Sequence, residues 1–122
     1  MFRYLNKNPR KRLVNDCVVR AISLAENRSW DETYDKLSRI AKEEGIILDD
    51  ITFVDKYLSK RYKERCYKCN GKRLTVDEFL QEGLDGIYLI TMKGHITCII
   101  DGTLYDTWDC SNRRIWSVWQ VE

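Results

Sequence analysis

The chain carries a single histidine, His95, at the head of the apolar run Ile96-Thr97-Cys98-Ile99-Ile100. Far upstream, Asn15-Asp16-Cys17-Val18-Val19-Arg20-Ala21-Ile22 sets a cysteine where a helical pattern begins, and downstream Tyr105-Asp106-Thr107-Trp108 supplies a carboxylate. A thiol, an imidazole and a carboxylate are the parts of a nucleophile, its base and the group that orients the base. With one histidine in the chain, no second base competes for the role.

Positioning these groups requires particular elements. Val18, Ala21, Ile22 and Ala25 make one apolar helical face from Asp16 to about Ala25, with Asn15 or Asp16 as N-cap. Cys17 then lies in the first turn, where free backbone N–H groups and the helix dipole favour a thiolate. Ser29-Trp30-Asp31-Glu32 is a capping box opening a second helix, with Trp30, Tyr34, Leu37, Ile40 and Ala41 on one face and Gly45 as its stop. A third helix, about Asp50 to Arg61, is expected to bury Ile51, Val54, Tyr57 and Leu58. Residues 62–72 are polar and end in the turn signal Asn70-Gly71. Thr75-Val76-Asp77-Glu78 opens a short helix that buries Val76, Phe79 and Leu80. After Gly86 the period changes to that of strands, over 87–92, 95–100, 103–108 and 115–121. The expectation is an α+β fold, N-terminal helices packed on a C-terminal antiparallel sheet, in one domain over residues 1–122.

The second hairpin specifies geometry. If Asp101-Gly102 is a two-residue turn, Ile100 pairs with Thr103, Thr97 faces Asp106 and His95 faces Trp108. His95 and Asp106 are then diagonal neighbours on one face, with α-carbons ~7–8 Å apart, within reach of a carboxylate–imidazole hydrogen bond. Asp109 falls on the opposite face and needs a bulge to come round. Asp106 is the expected partner and Asp109 the alternative.

In these residues the chain resembles the papain-like superfamily of cysteine peptidases. Asp106-Thr107-Trp108 is similar to that family's Asn-Ser-Trp, and the Cys17 segment is similar to the Asp-Gly-Asn-Cys-Leu-Phe-Arg-Ala-Ile segment of ovarian-tumour deubiquitinases. The part after Gly86 looks closer to bacteriocin-leader peptidases and to small phage-encoded proteins of papain-like type. The resemblance covers roughly residues 14–26 and 86–110. It implies a Cys17–His95–Asp106 triad that cleaves a peptide or isopeptide bond, a peptide or protein substrate, and a phage or mobile-element accessory protein of the cytoplasm. Six residues before the cysteine, where papain has its oxyanion-hole Gln, this chain has Lys11. Asn15, or the backbone N–H of Cys17 with a neighbour, is the expected donor instead.

Other chemistries are weaker in the sequence. Cys66-Tyr67-Lys68-Cys69 has half-zinc-site or redox spacing, but a second ligand pair is missing, and two reduced cysteines is the plainer reading. No metal or cofactor is expected. Lys and Arg total 21 against 19 Asp and Glu, a net charge of +2 that demands no acidic partner. The basic loop Lys7, Arg10, Lys11, Arg12 is the one feature that would suit nucleic acid, which is not the expected partner. No apolar run reaches the roughly 20 residues that span a bilayer, and the first residues carry no export or lipidation signal. Five cysteines, an odd number, favour free thiols in a reducing compartment. Two alternatives to the enzyme remain: a catalytically silent papain-like module that binds or inhibits a host protein, and a small nucleic-acid-associated protein using the 7–12 loop. The oligomeric state is left open.

Overall fold

The computed structural model describes every residue except Tyr67 and Asn70, with the side chains of Lys68 and Cys69 also outside the description. In chain order the elements are β1 (Phe2–Tyr4), α1 (Cys17–Ala25), α2 (Trp30–Glu44), α3 (Ile51–Arg61), β2 (Lys63–Arg65), β3 (Lys68–Cys69), β4 (Lys72–Arg73), α4 (Val76–Leu80), β5 (Ile87–Met92), β6 (His95–Ile100), β7 (Thr103–Asp106) and β8 (Ser117–Gln120). The fold is α+β. Among the described residues no helix is long and apolar enough to cross a membrane.

Helix boundaries follow local chemistry. Both capping boxes form: the Ser29 and Thr75 hydroxyls accept from the N–H groups of Glu32 and Glu78, whose carboxylates return to the cap N–H groups. Asp50 caps α3 through the N–H groups of Thr52 and Phe53. Gly45 ends α2 at φ +74°, a left-handed conformation that costs glycine little. Two helix faces differ from expectation. Ile51, at the first position of α3, is 47% exposed, and Phe53 is buried in its place, because the inward stripe is Phe53, Val54, Tyr57 and Leu58. Tyr34 is also exposed and lies stacked on Trp30, with ring centroids 5.1 Å apart.

The sheet is mixed rather than purely antiparallel, in the order β1-β7-β6-β5-β8-β2. Its centre is the expected meander, and the Asp101-Gly102 turn pairs Ile100 with Thr103 and Cys98 with Tyr105. Asp101 and Gly102 both have positive φ, 48° and 78°, as a hairpin turn that matches strand twist requires. The outer strands were not legible. β1 joins β7 in parallel and β2 joins β8, so the chain's first residues and its middle complete a sheet expected only from its end. β1 is only three residues, Phe-Arg-Tyr, too short for its alternation to stand out, and β2 is Lys-Glu-Arg, exposed throughout. The Asn70-Gly71 turn signal falls in part outside the described residues.

Two apolar clusters hold the layers together. One packs α1, α2 and α3 on the sheet through Ile22, Leu37, Phe53, Leu58, Leu89 and Cys98. The other, against α4 and the loop before β8, contains Val76, Phe79, Ile90, Ile99, Leu104 and Ile115. Glu26, just beyond α1, accepts hydrogen bonds from the hydroxyls of Tyr57 at 2.9 Å and Tyr62 at 2.5 Å and pairs with Lys36 at 3.5 Å, joining the three long helices at one point. Ile22 is fully buried in the first cluster. Ile22→Ala is expected to cost about 2–5 kcal/mol in urea unfolding; a loss below about 1 kcal/mol would show that α1 is not seated on the sheet as described.

Candidate active site

The chemistry-bearing groups all stand at the ends of elements. Cys17 is the first residue of α1, His95 the first of β6 and Asp106 the last of β7. His95 Nε2 lies 2.7 Å from Asp106 Oδ2. Asp109, the alternative partner, is exposed and accepts instead from the N–H of Ser111 at 3.0 Å. The Trp108 ring packs against the imidazole, with centroids 4.8 Å apart and the planes at 49°. Because Nε2 is taken by the carboxylate, Nδ1 is the nitrogen left to exchange a proton with a thiol.

Asp106 is almost fully buried and saturated with donors. Arg20 Nη1 donates to Oδ1 at 2.7 Å, the Thr107 N–H donates to the same oxygen at 2.7 Å, and Cys110 Sγ lies 3.9 Å from Oδ2. Burial alone would raise its pKa, but hydrogen bonds from His95 and Arg20, the nearby imidazolium and Thr97 together lower it. For His95, burial pulls the pKa down, yet the bond to Asp106, the neighbouring Cys110 and Cys17 thiols and the carboxylate charge outweigh it and push it up to about 11. The Asp106 carboxylate therefore favours the protonated ring.

Arg20 extends the network back to the helix start. Its Nε donates to Asp16 Oδ1 at 2.7 Å, while Asp16 Oδ2 accepts from Trp30 Nε1 at 3.0 Å and Asn8 Nδ2 at 3.3 Å. Asp16 occupies the N-cap position as expected, but its carboxylate makes no cap bond, because arginine, indole and amide take both oxygens. The first N–H groups of α1, Cys17's among them, consequently have no side-chain cap.

The loop before α1 is ordered by two buried asparagines. Asn6 Oδ1 accepts from the Asn8 N–H at 3.0 Å, and Asn6 Nδ2 donates to the Arg12 carbonyl at 3.1 Å. Of the basic residues here, Arg10 pairs with Asp31 at 3.1 Å and lies over the Trp30 ring, and Lys11 Nζ donates to the Asn6 carbonyl at 3.4 Å. Lys11 is thus tied to its own loop. Asn15 is exposed and lines the cleft beside Cys17 and His95.

Cleft and candidate nucleophile belong to the same place. Two hollows of about 350 and 340 Å³ share Asn15, Cys17, Gly94 and His95 as common walls. The other thiols differ: Cys98 is fully buried, and burial with the nearby Asp106 charge pushes it up to about 12. Cys66 is exposed and unpaired, and the Cys69 side chain lies outside the described residues.

His95, Asp106 and Cys110 offer ligand atoms within 4.8 Å of one another. They fit a cation poorly, since Arg20 already holds one carboxylate oxygen and the imidazole the other. Sequence reasoning missed Arg20, Cys110 and the buried asparagines. Only Arg20 had a legible signal, an Asp16–Arg20 spacing of one helical turn within a buried stretch. Comparison with family models, with curated proteins and with solved structures finds no match for the chain.

Two outcomes follow from the network. Arg20→Met leaves buried Asp16 without a cation and Asp106 with His95 alone, and is expected to cost about 3–5 kcal/mol in urea unfolding; a change below about 1 kcal/mol would show that the two pairs are not buried. The single histidine makes the second a one-signal measurement by proton NMR. In the wild type the imidazolium persists well above neutral pH, whereas in Asp106→Asn its midpoint drops by several units toward the ordinary ~6.5. A midpoint still above about 9 in that variant would assign the proton's stability to the sulfurs rather than to Asp106. The raised His95 value contributes stability that is complete below about 6.5 and is lost as pH climbs toward about 11. The lowered Asp106 value contributes stability present above about 3.8 and lost as pH falls.

Proposed function

We propose that the chain is a papain-like thiol hydrolase that cleaves a peptide or isopeptide bond, with Cys17 as nucleophile, His95 as base and Asp106 as the group that orients it. The observation that carries this reading is the buried 2.7 Å bond between His95 Nε2 and Asp106 Oδ2, in a ring that lines the same cleft as Cys17 at the start of a helix. The high affinity of His95 for a proton favours transfer from sulfur to imidazole.

In this mechanism the Cys17 proton already rests on His95 Nδ1 in a thiolate–imidazolium pair, and the Cys17 thiolate attacks the scissile carbonyl. The oxyanion that forms is held by the uncapped N–H of Cys17 and the amide of Asn15, in the place where papain uses its Gln. His95 then protonates the leaving amine, and water hydrolyses the thioester with His95 again as base. Asp106 keeps the imidazole in the productive orientation and stabilises its charge. Loss of one oxyanion donor, as in Asn15→Ala, costs about 10²–10³ in rate.

Thiol reactivity tests the reading without knowledge of the substrate. With limiting iodoacetamide and mass spectrometry, Cys17 is expected to label at least about 10-fold faster than exposed Cys66, despite being buried, with Cys98 and Cys110 slower still. His95→Ala should remove that advantage, and His95→Gln serves as a second carrier. If Cys17 labels no faster than Cys66, or at the same rate without His95, the hydrolase reading fails and the silent binding module takes its place.

A further inference from the structure

Nine large apolar side chains are exposed among the described residues: Met1, Tyr4, Leu13, Val14, Tyr34, Ile47, Ile51, Trp108 and Trp116. Five of them, Leu13, Val14, Ile51, Trp108 and Trp116, line the two hollows that meet at Cys17 and His95. Exposed apolar surface is therefore gathered around the candidate site rather than scattered. Such a rim points to a polymeric partner, because a small amide would leave it wet.

The rim has two halves. Ile51 and Trp116, with Val54 and Met92, wall the hollow on one side of the Cys17–His95 line, and Leu13, Val14 and Trp108 wall the other. Each half also holds one charge that nothing neutralises. Asp49 lies in the Trp116 half and Arg12 in the Trp108 half, both exposed, and among the described residues neither side chain has an ionic partner. The remaining charges in these walls, Asp16, Arg20 and His95, are consumed by the buried network. Apolar side chains thus stand on both sides of the reacting atoms, in a mainly apolar hollow on the Trp116 side and a mainly polar one on the Trp108 side, with opposite charges at the two ends.

Building on the thiol-hydrolase reading, we propose that the substrate is an extended polypeptide segment with apolar side chains on both sides of the scissile bond, a basic residue lying toward Asp49 and an acidic residue toward Arg12. The aromatic walls supply most of the affinity, since large rings in a desolvated centre dominate binding. The two exposed charge pairs set direction, each worth a factor of up to about five and each weakened by salt.

Binding to the full-length Cys17→Ala protein, with Cys17→Ser as a second carrier, tests this apart from turnover. Two fluorescein-labelled peptides, Lys-Leu-Gly-Leu-Glu and its reversal Glu-Leu-Gly-Leu-Lys, are titrated by fluorescence anisotropy. One order should bind several-fold more tightly, and the double variant Asp49→Lys, Arg12→Glu should invert the preference. Replacing both leucines by serine, or Trp116 by alanine, should weaken the preferred complex by about 10-fold or more. Equal affinity for the two orders, a preference that survives the charge swap, or undiminished binding of the serine peptide would each overturn the proposal. Ordered binding with no cleavage by the wild type would refute the hydrolase and leave the recognition in place. Cleavage of both orders and of the serine peptide alike would do the reverse.

Discussion

A guanidinium buried between two carboxylates governs this structure. Arg20 bonds Asp16 with one nitrogen and Asp106 with another, each at 2.7 Å, and all three side chains are at most about a tenth exposed. Asp16 precedes α1 and Asp106 ends β7, so the same cation joins the helix that carries the thiol to the strand that orients the histidine. Charges alternate along Asp16, Arg20, Asp106 and His95. Removing Arg20 would leave Asp16 without a cation, and removing Asp106 would leave His95 without a carboxylate, where water cannot compensate.

That arrangement gives chemically similar groups different fates. Asp106, though buried, stays ionised because cations and donors surround it, and its charge keeps His95 protonated. Cys98, on the same strand as His95, faces the helices and is driven toward the inert thiol by burial. Cys17 stands instead at the mouth of the cleft, next to the ring and to uncapped N–H groups. Position at the end of an element, more than residue type, separates a reactive cysteine from a structural one.

The network also frees the cleft to carry apolar side chains. Because the buried charges satisfy one another, leucine, valine, isoleucine and tryptophan can stand in the walls around Cys17 and His95, and the hollow on the Trp116 side is mainly apolar. The loop carrying Leu13 and Val14 has no regular structure of its own and depends on buried Asn6 and Asn8, the second of which reaches Asp16. The wall on that side is therefore anchored to the network that holds the histidine.

Much of this was written in local sequence. Capping boxes at Ser29 and Thr75, the Asp50 cap, the Gly45 stop and the Asp101-Gly102 turn are short-range chemistry, and the hairpin register alone placed His95 diagonal to Asp106. The inward stripe of α3 and the edge strands were less legible, since Ile51 is as apolar as Phe53 and β2 is wholly charged. Contacts between residues remote in sequence escaped entirely, Arg20 with Asp106 and β1 with β7, as did the shorter-range Cys110–Asp106 and Asn8–Asp16 contacts. Spacing within an element is dictated by backbone periodicity, which the sequence displays. Which polar groups are buried together depends on how helix and sheet dock, and that is decided only when the apolar faces close.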